Sequence, residues 1–199
     1  MARINGKIIL FVHIPKCGGS SIEKYLQEKG ALGFKLQGRK DWCKTVPQHI
    51  HADLYKPMFP KPFTDDIFTV FRDPVQRILS EYRYRMDRRE KNMPLSDWVS
   101  KSFANYKDNK YTLDNHLRPQ VEFLCKGVKI FRFEDGIVNV LNYIDAYTET
   151  QPIEKDIWEK RSSGNKPSIP NHTLNEIKEF YKADISAYSK LKVGDFTVW

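Results

Sequence analysis

The segment that reads PKCGGSS, residues 15 to 21, contains the residue types of a phosphate-binding loop. It follows the apolar run Ile8 to Val12 and precedes a helical pattern, and a loop between a strand and a helix presents unpaired backbone N–H groups to an anion. In a Walker A loop the lysine follows the glycines, whereas Lys16 precedes Gly18 and Gly19. The pattern therefore indicates an anion site in which Lys16 itself neutralises the ligand, with no clear magnesium ligand beside it. Taken alone, the segment also fits a tight turn that binds nothing.

A second stretch, FRDPVQRILSEY at residues 71 to 82, has the same strand–turn–helix layout. Arg72 ends an apolar strand pattern and Ser80 lies about two turns into the following helix, so a guanidinium and a hydroxyl can converge on a second phosphate. Arg77 has two open interpretations, because it can hold the Asp73-Pro74 turn or bind the ligand. Two anion sites at the ends of neighbouring strands favour one doubly phosphorylated ligand over a plain turn.

Two histidines supply a candidate base. His49 and His51 in the segment QHIH face the same side if the segment is extended, and an imidazole with a pKa of ~6.5 suits proton transfer near neutral pH. Two alternatives stay open: both rings bonded to backbone groups of a loop, or a zinc pair, which lacks a nearby third ligand because the cysteines are widely spaced. His116 is a weaker candidate that can orient a helix, contact the acceptor or pack in the core.

The elements that must position these residues alternate between strand and helix. Apolar strand patterns, each followed by a helical pattern, occur at Ile8 to Ile14, Ile67 to Arg72 and residues 128 to 135. Further helical patterns lie at Leu95 to Tyr106, Asn115 to Leu124 and Leu174 to Leu191, with a loop at Lys166 to Asn171. Such alternation predicts a parallel α/β sheet whose ligand binds at the carboxyl ends of the strands, where both anion-binding stretches fall.

The composition limits the class of protein and its partners. At 199 residues with 40% hydrophobic content the chain fits one domain, since a single core serves ~100–200 residues. The 33 basic against 25 acidic residues give a charge of +8, which favours polyanionic partners such as polysaccharides, nucleotides or nucleic acid. No run approaches the ~20 apolar residues of a membrane span, no signal-peptide pattern is present, and scattered cysteines in odd number fit a reducing compartment. We therefore expect a soluble cytoplasmic protein.

Together, the two anion-binding stretches resemble the paired signatures of the PAPS-dependent carbohydrate sulfotransferases. The matching residues are HIPKCGGSS at 13 to 21 and FRDPVQR at 71 to 77, followed by Ser80 and Tyr82. The chain is most similar to the branch with the heparan and dermatan uronyl sulfotransferases, and the segments NHLRPQVEFL, RSSGNKPSIP and IKEFYKADISAYSKL resemble that branch as well. This resemblance implies a P-loop NTPase-like parallel β-sheet flanked by helices, in a single sulfotransferase domain over residues 1–199.

In that family the donor is 3'-phosphoadenosine 5'-phosphosulfate (PAPS), and the nucleotide product is adenosine 3',5'-bisphosphate. The resemblance assigns the 5'-phosphosulfate to the first stretch and the 3'-phosphate to the second. The donor-binding residues that it implies are Lys16, Cys17, Gly18, Gly19, Ser20, Ser21, Arg72, Ser80, Ser163 and Lys166. Cys17 stands where many members have threonine, which removes one hydroxyl but leaves the backbone N–H groups of the loop.

The implied reaction moves the sulfuryl group from PAPS to a carbohydrate hydroxyl by metal-independent in-line transfer. Lys16 counters the charge that grows on the leaving phosphate, and a histidine accepts the hydroxyl proton. By similarity to the HxH segment of the uronyl sulfotransferases, His51 is the predicted base and His49 orients the acceptor. The expected partners are a nucleotide sulfate donor and a carbohydrate acceptor, including polyanionic ones, with no nucleic acid.

Three rival functions stay open on the sequence. A P-loop kinase or hydrolase shares the strand–loop–helix layout, although Walker order and a magnesium carboxylate are not evident. A non-enzymatic binder of polyanions fits the charge but does not need two separate phosphate signatures. A sulfotransferase of the same fold can act instead on a tyrosine or a small alcohol. The chain lacks the anchor and stem of Golgi members, which favours the expected cytoplasmic location.

Overall fold

The computed structural model describes residues 1–36, 38, 40–60, 62–88, 93–153 and 167–199. These residues form an α/β domain built on a six-stranded mixed sheet with helices packed against it. The strands are β1 (Ala2–Ile4), β2 (Lys7–Val12), β3 (Ala31–Leu32), β4 (Asp66–Phe71), β5 (Lys129–Arg132) and β6 (Thr197–Val198). Their order across the sheet is β3-β1-β2-β4-β5-β6.

The central strands β2, β4 and β5 confirm the three predicted strands and their parallel arrangement. β2 pairs with β4 from Ile9 opposite Asp66 to Val12 opposite Thr69, and β4 pairs with β5 in the same direction. The Thr69 hydroxyl donates to the Val12 carbonyl at 2.7 Å and ties the two strand ends together. The segments that follow β2 and β4 therefore start side by side at one edge of the sheet, as the alternating pattern predicts.

The prediction of a wholly parallel sheet is wrong, because β1, β3 and β6 run antiparallel to their neighbours. The cause at β1 is the two-residue turn Asn5-Gly6, whose φ angles of 49° and 81° fit a type I′ hairpin turn. Such a turn returns the chain directly beside itself, so β1 and β2 must run in opposite directions. β3 and β6 contain only two residues each, too few for a polarity pattern to reveal them.

The α-helices of the described residues are α1 (Gly19–Lys29), α2 (Ala52–Met58), α3 (Pro74–Arg88), α4 (Leu95–Asp108), α5 (Ile137–Thr148), α6 (Asn171–Phe180) and α7 (Lys182–Tyr188). The helix predicted at Leu95 to Tyr106 is confirmed as α4. The helix predicted at Asn115 to Leu124 is wrong, because Pro119 disfavours the helical conformation before it and the segment forms only short 3₁₀ turns. The last predicted helix is divided into α6 and α7 at Tyr181.

Two buried clusters hold the helices in place. The larger one surrounds the sheet and includes Phe68 of β4 and Ile22 of α1. The second lies between α3, α4 and α6 around Trp98, which is only 1% exposed. Since burial of a large apolar side chain contributes ~1.5–3 kcal/mol, these clusters fix α1 and α3, the helices that follow the anion-binding stretches.

Among the residues that the structure describes, every helix is too short or too polar to cross a membrane.

Candidate active site

The loop after β2 leads into α1, as predicted. Gly18 is the N-cap, with a φ of 79°, and α1 begins at Gly19. A side chain at Gly18 would be strained by this φ, and its Cβ would lie 2.3 Å from Ile137. A Cβ at Gly19 would lie 2.1 Å from the His13 ring. Both glycines are therefore required by close packing of the loop.

The start of α1 offers backbone donors to an anion. The N–H of Ser21 bonds the Gly18 carbonyl at 3.1 Å, whereas the N–H groups before it precede the first acceptor of the helix. Ser20 is half-buried and Ser21 is buried at this end of the helix. The first turn of α1 carries no acidic residue, so the positive end of the helix dipole is not offset there by a carboxylate.

Lys16 occupies an unusual backbone conformation in this loop. Its φ of 68° lies in the left-handed region, which costs a residue other than glycine ~1–3 kcal/mol and is concentrated at functional sites. The Lys16 ammonium lies 4.1 Å from the centre of the Tyr84 ring in α3, a cation–π contact. The loop therefore holds the lysine between the end of β2 and α3.

Arg72, the residue after β4, reaches across to this loop. Its guanidinium donates to the Lys16 carbonyl through Nη1 at 3.0 Å and lies 4.3 Å from the centre of the Phe133 ring. Because the guanidinium has five donors, these contacts leave others for an anion. The structure thus brings together Lys16 and Arg72, the two charged residues that the sequence assigns to separate phosphates.

The side chain of Gln120 forms hydrogen bonds with both the loop after β2 and the end of β4. Its carbonyl oxygen accepts from the Cys17 thiol at 3.3 Å and from the Arg72 N–H at 3.0 Å, while its amide donates to the Arg72 carbonyl at 2.8 Å. Cys17 is 1% exposed, and burial raises the pKa of its thiol to about 12. Cys17 is therefore a protonated packing residue whose thiol supports the loop.

Arg77 is buried, and the contacts of its guanidinium match neither of the two interpretations that the sequence leaves open. It is 2% exposed, and its guanidinium donates to the carbonyls of Pro15, His116 and Arg118 at 2.7 to 3.2 Å. The Asp184 carboxylate, 3.8 Å away, balances its charge. Arg77 therefore holds the segment before Lys16 against residues 116–118.

Further donor-site residues were predicted on α3 and in the late loop. Ser80 is buried on α3, two turns after its start. Nε of Arg83 is buried without a hydrogen-bond partner among the described residues, and burial, together with the nearby charge of Arg83, lowers the pKa of Arg72. Ser163 and Lys166 lie outside the described residues.

Three histidines lie in a row beside the loop. The ring centres of His13 and His49 are 4.8 Å apart, and those of His49 and His116 are 5.0 Å apart. Each Nδ1 contacts a carboxylate oxygen, of Glu23 for His13 at 2.6 Å, of Asp114 for His49 at 2.8 Å and of Glu81 for His116 at 2.7 Å. A carboxylate at one imidazole nitrogen fixes the proton there and leaves the other nitrogen as a base or a metal ligand.

The protonation states of two of these pairs follow from burial and hydrogen bonding. Burial disfavours charge on Asp114, but the hydrogen bonds to its oxygens lower its pKa to about 2. Burial is outweighed in the same way at Glu81, where interactions with His116, Arg85 and Lys16 lower the pKa to about 2. Burial also lowers the pKa of His49 and of His116 from the ordinary 6.5. At neutral pH each pair is therefore a neutral imidazole beside an ionised carboxylate.

His51 has different neighbours from His49. The segment is not extended as the sequence argument requires, because Pro47–His49 forms a 3₁₀ turn. His51 follows this turn as the N-cap residue of α2, and its ring centre lies 5.9 Å from that of Tyr111. Its Nδ1 is buried without a hydrogen-bond partner among the described residues, and burial lowers its pKa.

Three side chains that lie at the candidate site are not among the residues predicted from the sequence. Asp114 carries no local signal, because it is 65 residues from His49. Gln120 lies in a segment with a recognised resemblance but no assigned role. Arg83 follows Ser80 by three positions, a spacing that places both on one helix face and that favours a shared ligand over a solvated face.

The family of the chain follows from comparison with known proteins. The model of the sulfotransferase family matches residues 5–190, a range that includes the loop after β2, Arg72 and all three histidines of the row. Comparison with curated proteins and with solved structures gives no significant match. Because the family match extends over most of the chain, this protein belongs to the sulfotransferase family and is a sulfotransferase enzyme.

Proposed function

We propose that this sulfotransferase moves the sulfuryl group of PAPS to a hydroxyl of a carbohydrate, with a histidine as base and no required metal. The observation that carries the proposal is the contact between the anion-binding stretches, in which Arg72 donates to the Lys16 carbonyl at 3.0 Å. Both residues follow neighbouring parallel strands, the usual place for a nucleotide in an α/β sheet. A ligand with two separate phosphates, such as PAPS, fits this arrangement, and a P-loop NTPase-like fold belongs to the same proposal.

The 5'-phosphosulfate is assigned to the loop after β2. The N–H groups at the start of α1 bind its oxygens, since an anion at a helix N-terminus gains both hydrogen bonds and the helix dipole. Lys16 acts on the oxygen that bridges phosphorus and sulfur. As the sulfur–oxygen bond breaks, that oxygen becomes anionic and the ammonium stabilises it.

The 3'-phosphate is assigned to Arg72, Ser80 and Arg83. Charge-assisted hydrogen bonds from guanidinium groups to phosphate are roughly twice as strong as neutral ones. The buried Nε of Arg83 has no hydrogen-bond partner among the described residues, which supports the proposal, because a buried donor without an acceptor is costly unless a ligand supplies one. Ser163 and Lys166 stay predicted donor residues.

His49 is the proposed base, in place of the His51 predicted by resemblance. Its Nδ1 is 2.8 Å from Asp114, the arrangement in which a carboxylate orients an imidazole to accept a proton at the other nitrogen. Its ring contacts that of His116, whose partner Glu81 feels the charge of Lys16. His49 takes the proton of the acceptor hydroxyl as the hydroxyl oxygen attacks sulfur. His51 has no comparable partner in the described part of the chain.

A carbohydrate acceptor is supported by the resemblance and by the surface beside His49. The segment whose Thr45 hydroxyl bonds Asp114 also carries Trp42, which is 79% exposed. Lys40 and Lys44, two positions before and after Trp42 in the sequence, are exposed as well. A segment with an exposed aromatic ring and exposed cationic side chains is suited to binding a sugar that carries anionic groups.

Calorimetric titration tests the donor assignment. We expect adenosine 3',5'-bisphosphate to bind without magnesium, and ATP to bind no better when magnesium is added. Binding of ATP that requires magnesium, with no binding of the bisphosphate, would overturn the proposal and favour a P-loop kinase or hydrolase.

A further inference from the structure

The centre of the histidine row has the composition of a metal site. His49, His116 and Asp114 each offer one ligand atom, and these atoms all lie within 4.8 Å of one another. Nitrogen and carboxylate ligands are bound to Zn²⁺ at ~2.0–2.2 Å, so three ligands around one ion lie ~3–3.5 Å apart. The observed separations must shorten when a metal binds, and the hydrogen bond between His49 Nδ1 and Asp114 is then exchanged for bonds to the metal. All three residues are half-buried.

Surrounding groups hold these ligands in place. The Nδ1 of His116 is 2.7 Å from Glu81, which leaves Nε2 for a metal, and Arg85 donates to Glu81 at 2.6 Å. Oδ1 of Asp114 accepts from the Thr45 hydroxyl at 2.7 Å and from the backbone N–H of residue 46 at 2.8 Å. A carboxylate on the second nitrogen of a ligand histidine is the usual outer partner at metal sites.

The charge around the cluster also suits a divalent cation. The cluster contains two acidic side chains, Asp114 among the ligands and Glu81 against His116. Arg85 neutralises one of these charges through its contact with Glu81. The remaining negative charge offsets part of the charge of the ion.

We propose that His49, His116 and Asp114 bind a divalent transition metal of the zinc type, with one imidazole nitrogen from each histidine and one carboxylate oxygen. Two nitrogens and one oxygen select Zn²⁺, Co²⁺ or Ni²⁺ over Mg²⁺ and Ca²⁺, which prefer oxygen ligands. The zinc pair considered from the sequence, His49 with His51, is replaced by His49 with His116. Where His49 is the base, which rests on the proposed function, the bound metal occupies the base and inhibits transfer.

The binding test uses the full-length protein without donor or acceptor, so its result does not depend on the proposed function. Zn²⁺ is titrated by calorimetry, and Co²⁺ by its visible absorption. We expect one equivalent to bind, and affinity to fall at least about tenfold in His49→Ala, His116→Ala and the near-isosteric Asp114→Asn. The controls His51→Ala and His172→Ala, the latter exposed on α6, should bind as the unmodified protein does.

Thermal melting of each variant shows that it is folded, and Asp114→Asn keeps the test valid if a histidine variant does not fold. Absence of Zn²⁺ and Co²⁺ binding, or binding that is equal in Asp114→Asn, the histidine variants and the unmodified protein, would overturn the proposal. Inhibition is measured separately, with labelled PAPS at increasing Zn²⁺. Metal binding without inhibition would keep the metal site and count against His49 as the base.

Discussion

The Arg72 guanidinium donates to the backbone carbonyl of Lys16 at 3.0 Å, so the two residues assigned to opposite ends of the donor are physically joined. The carbonyl that accepts this bond belongs to a residue in the left-handed conformation, with a φ of 68°. Under the proposed assignment, the residue that binds the 3'-phosphate contacts the residue that acts at the sulfur. We therefore expect donor binding and catalysis to be coupled through this hydrogen bond.

Replacement of Arg72 should nevertheless affect mainly donor affinity, and replacement of Lys16 mainly turnover. Arg72→Ala should weaken binding of adenosine 3',5'-bisphosphate by about 10- to 100-fold, because a charge-assisted contact worth ~1.5–3 kcal/mol is lost. Lys16→Ala should lower turnover more than donor affinity, since its charge matters most as the bridging oxygen becomes anionic. Calorimetry and initial rates measure the two quantities, with the exposed Arg3→Ala as control. Equal losses of affinity with unchanged turnover would contradict this division.

Cys17 should prove inert and replaceable. Because burial raises its pKa to about 12, the thiolate is scarce at pH 7 to 8, and iodoacetamide should leave this residue unmodified in the folded enzyme. Cys17→Thr keeps a donor for Gln120 and should preserve activity, whereas Cys17→Ala leaves one acceptor site unused and should lower the melting temperature. Peptide mass analysis after alkylation and thermal melting check both points. A folded but inactive threonine variant would show that the thiol itself is needed.

The base assignment separates the two histidines of the HxH segment. With a chelator present, His49→Ala should lower turnover by ~10²–10⁴ and leave bisphosphate affinity nearly unchanged, because a positioned base contributes that much. His51→Ala should lower turnover by a smaller factor. The exposed His172→Ala serves as control. A larger loss in His51→Ala would return the base to His51, and normal rates in both variants would remove this segment from the chemistry.

Glu23 should make stability depend on pH in the acidic range. Burial would raise its pKa, but His13 and Lys35 lower it from 4.5 to about 2. A folded-state pKa below the unfolded value stabilises the protein above pH 4.5, and this contribution, ~3 kcal/mol, is lost as the pH falls towards 2. Glu23→Gln should lose stability at pH 7 and flatten the pH dependence in this window. Urea unfolding from pH 2 to 7 measures the free energy of unfolding, with the exposed Glu28→Gln as control. The same dependence of this free energy on pH in both variants would refute the assignment.

The central strands and the approach of Lys16 to Arg72 could be predicted because their signals are local. The strand patterns before Lys16 and Arg72 are continuous apolar runs, and parallel strands bring their carboxyl ends to one edge. The antiparallel β1 was missed although Asn5-Gly6 is a strong hairpin signal, since the strand it ends has only three residues. Single-domain organisation, cytoplasmic location and the absence of a nucleic-acid partner stay predictions.

The row of three histidines could not be predicted, because it depends on contacts between distant segments. His49 meets Asp114 and His116 only after the chain has passed through β4, α3 and α4. The periodicity of apolar residues along the chain does not indicate which distant residues contact one another. The two-residue spacing of the HxH segment favoured a common side for both histidines, but the 3₁₀ turn at Pro47–His49 separates them.

The most direct test of the central claim is sulfuryl transfer itself. The enzyme is incubated with sulfur-labelled PAPS and a panel of polysaccharides, oligosaccharides, tyrosine peptides and small alcohols, in the presence of a chelator, with Lys16→Ala as the matched inactive control. We predict that label appears on a carbohydrate, at a hydroxyl identified by mass analysis, and that adenosine 3',5'-bisphosphate is released in equal amount. Label found only on a tyrosine or a small alcohol would contradict the carbohydrate acceptor, and failure to bind PAPS would contradict the account of the donor site.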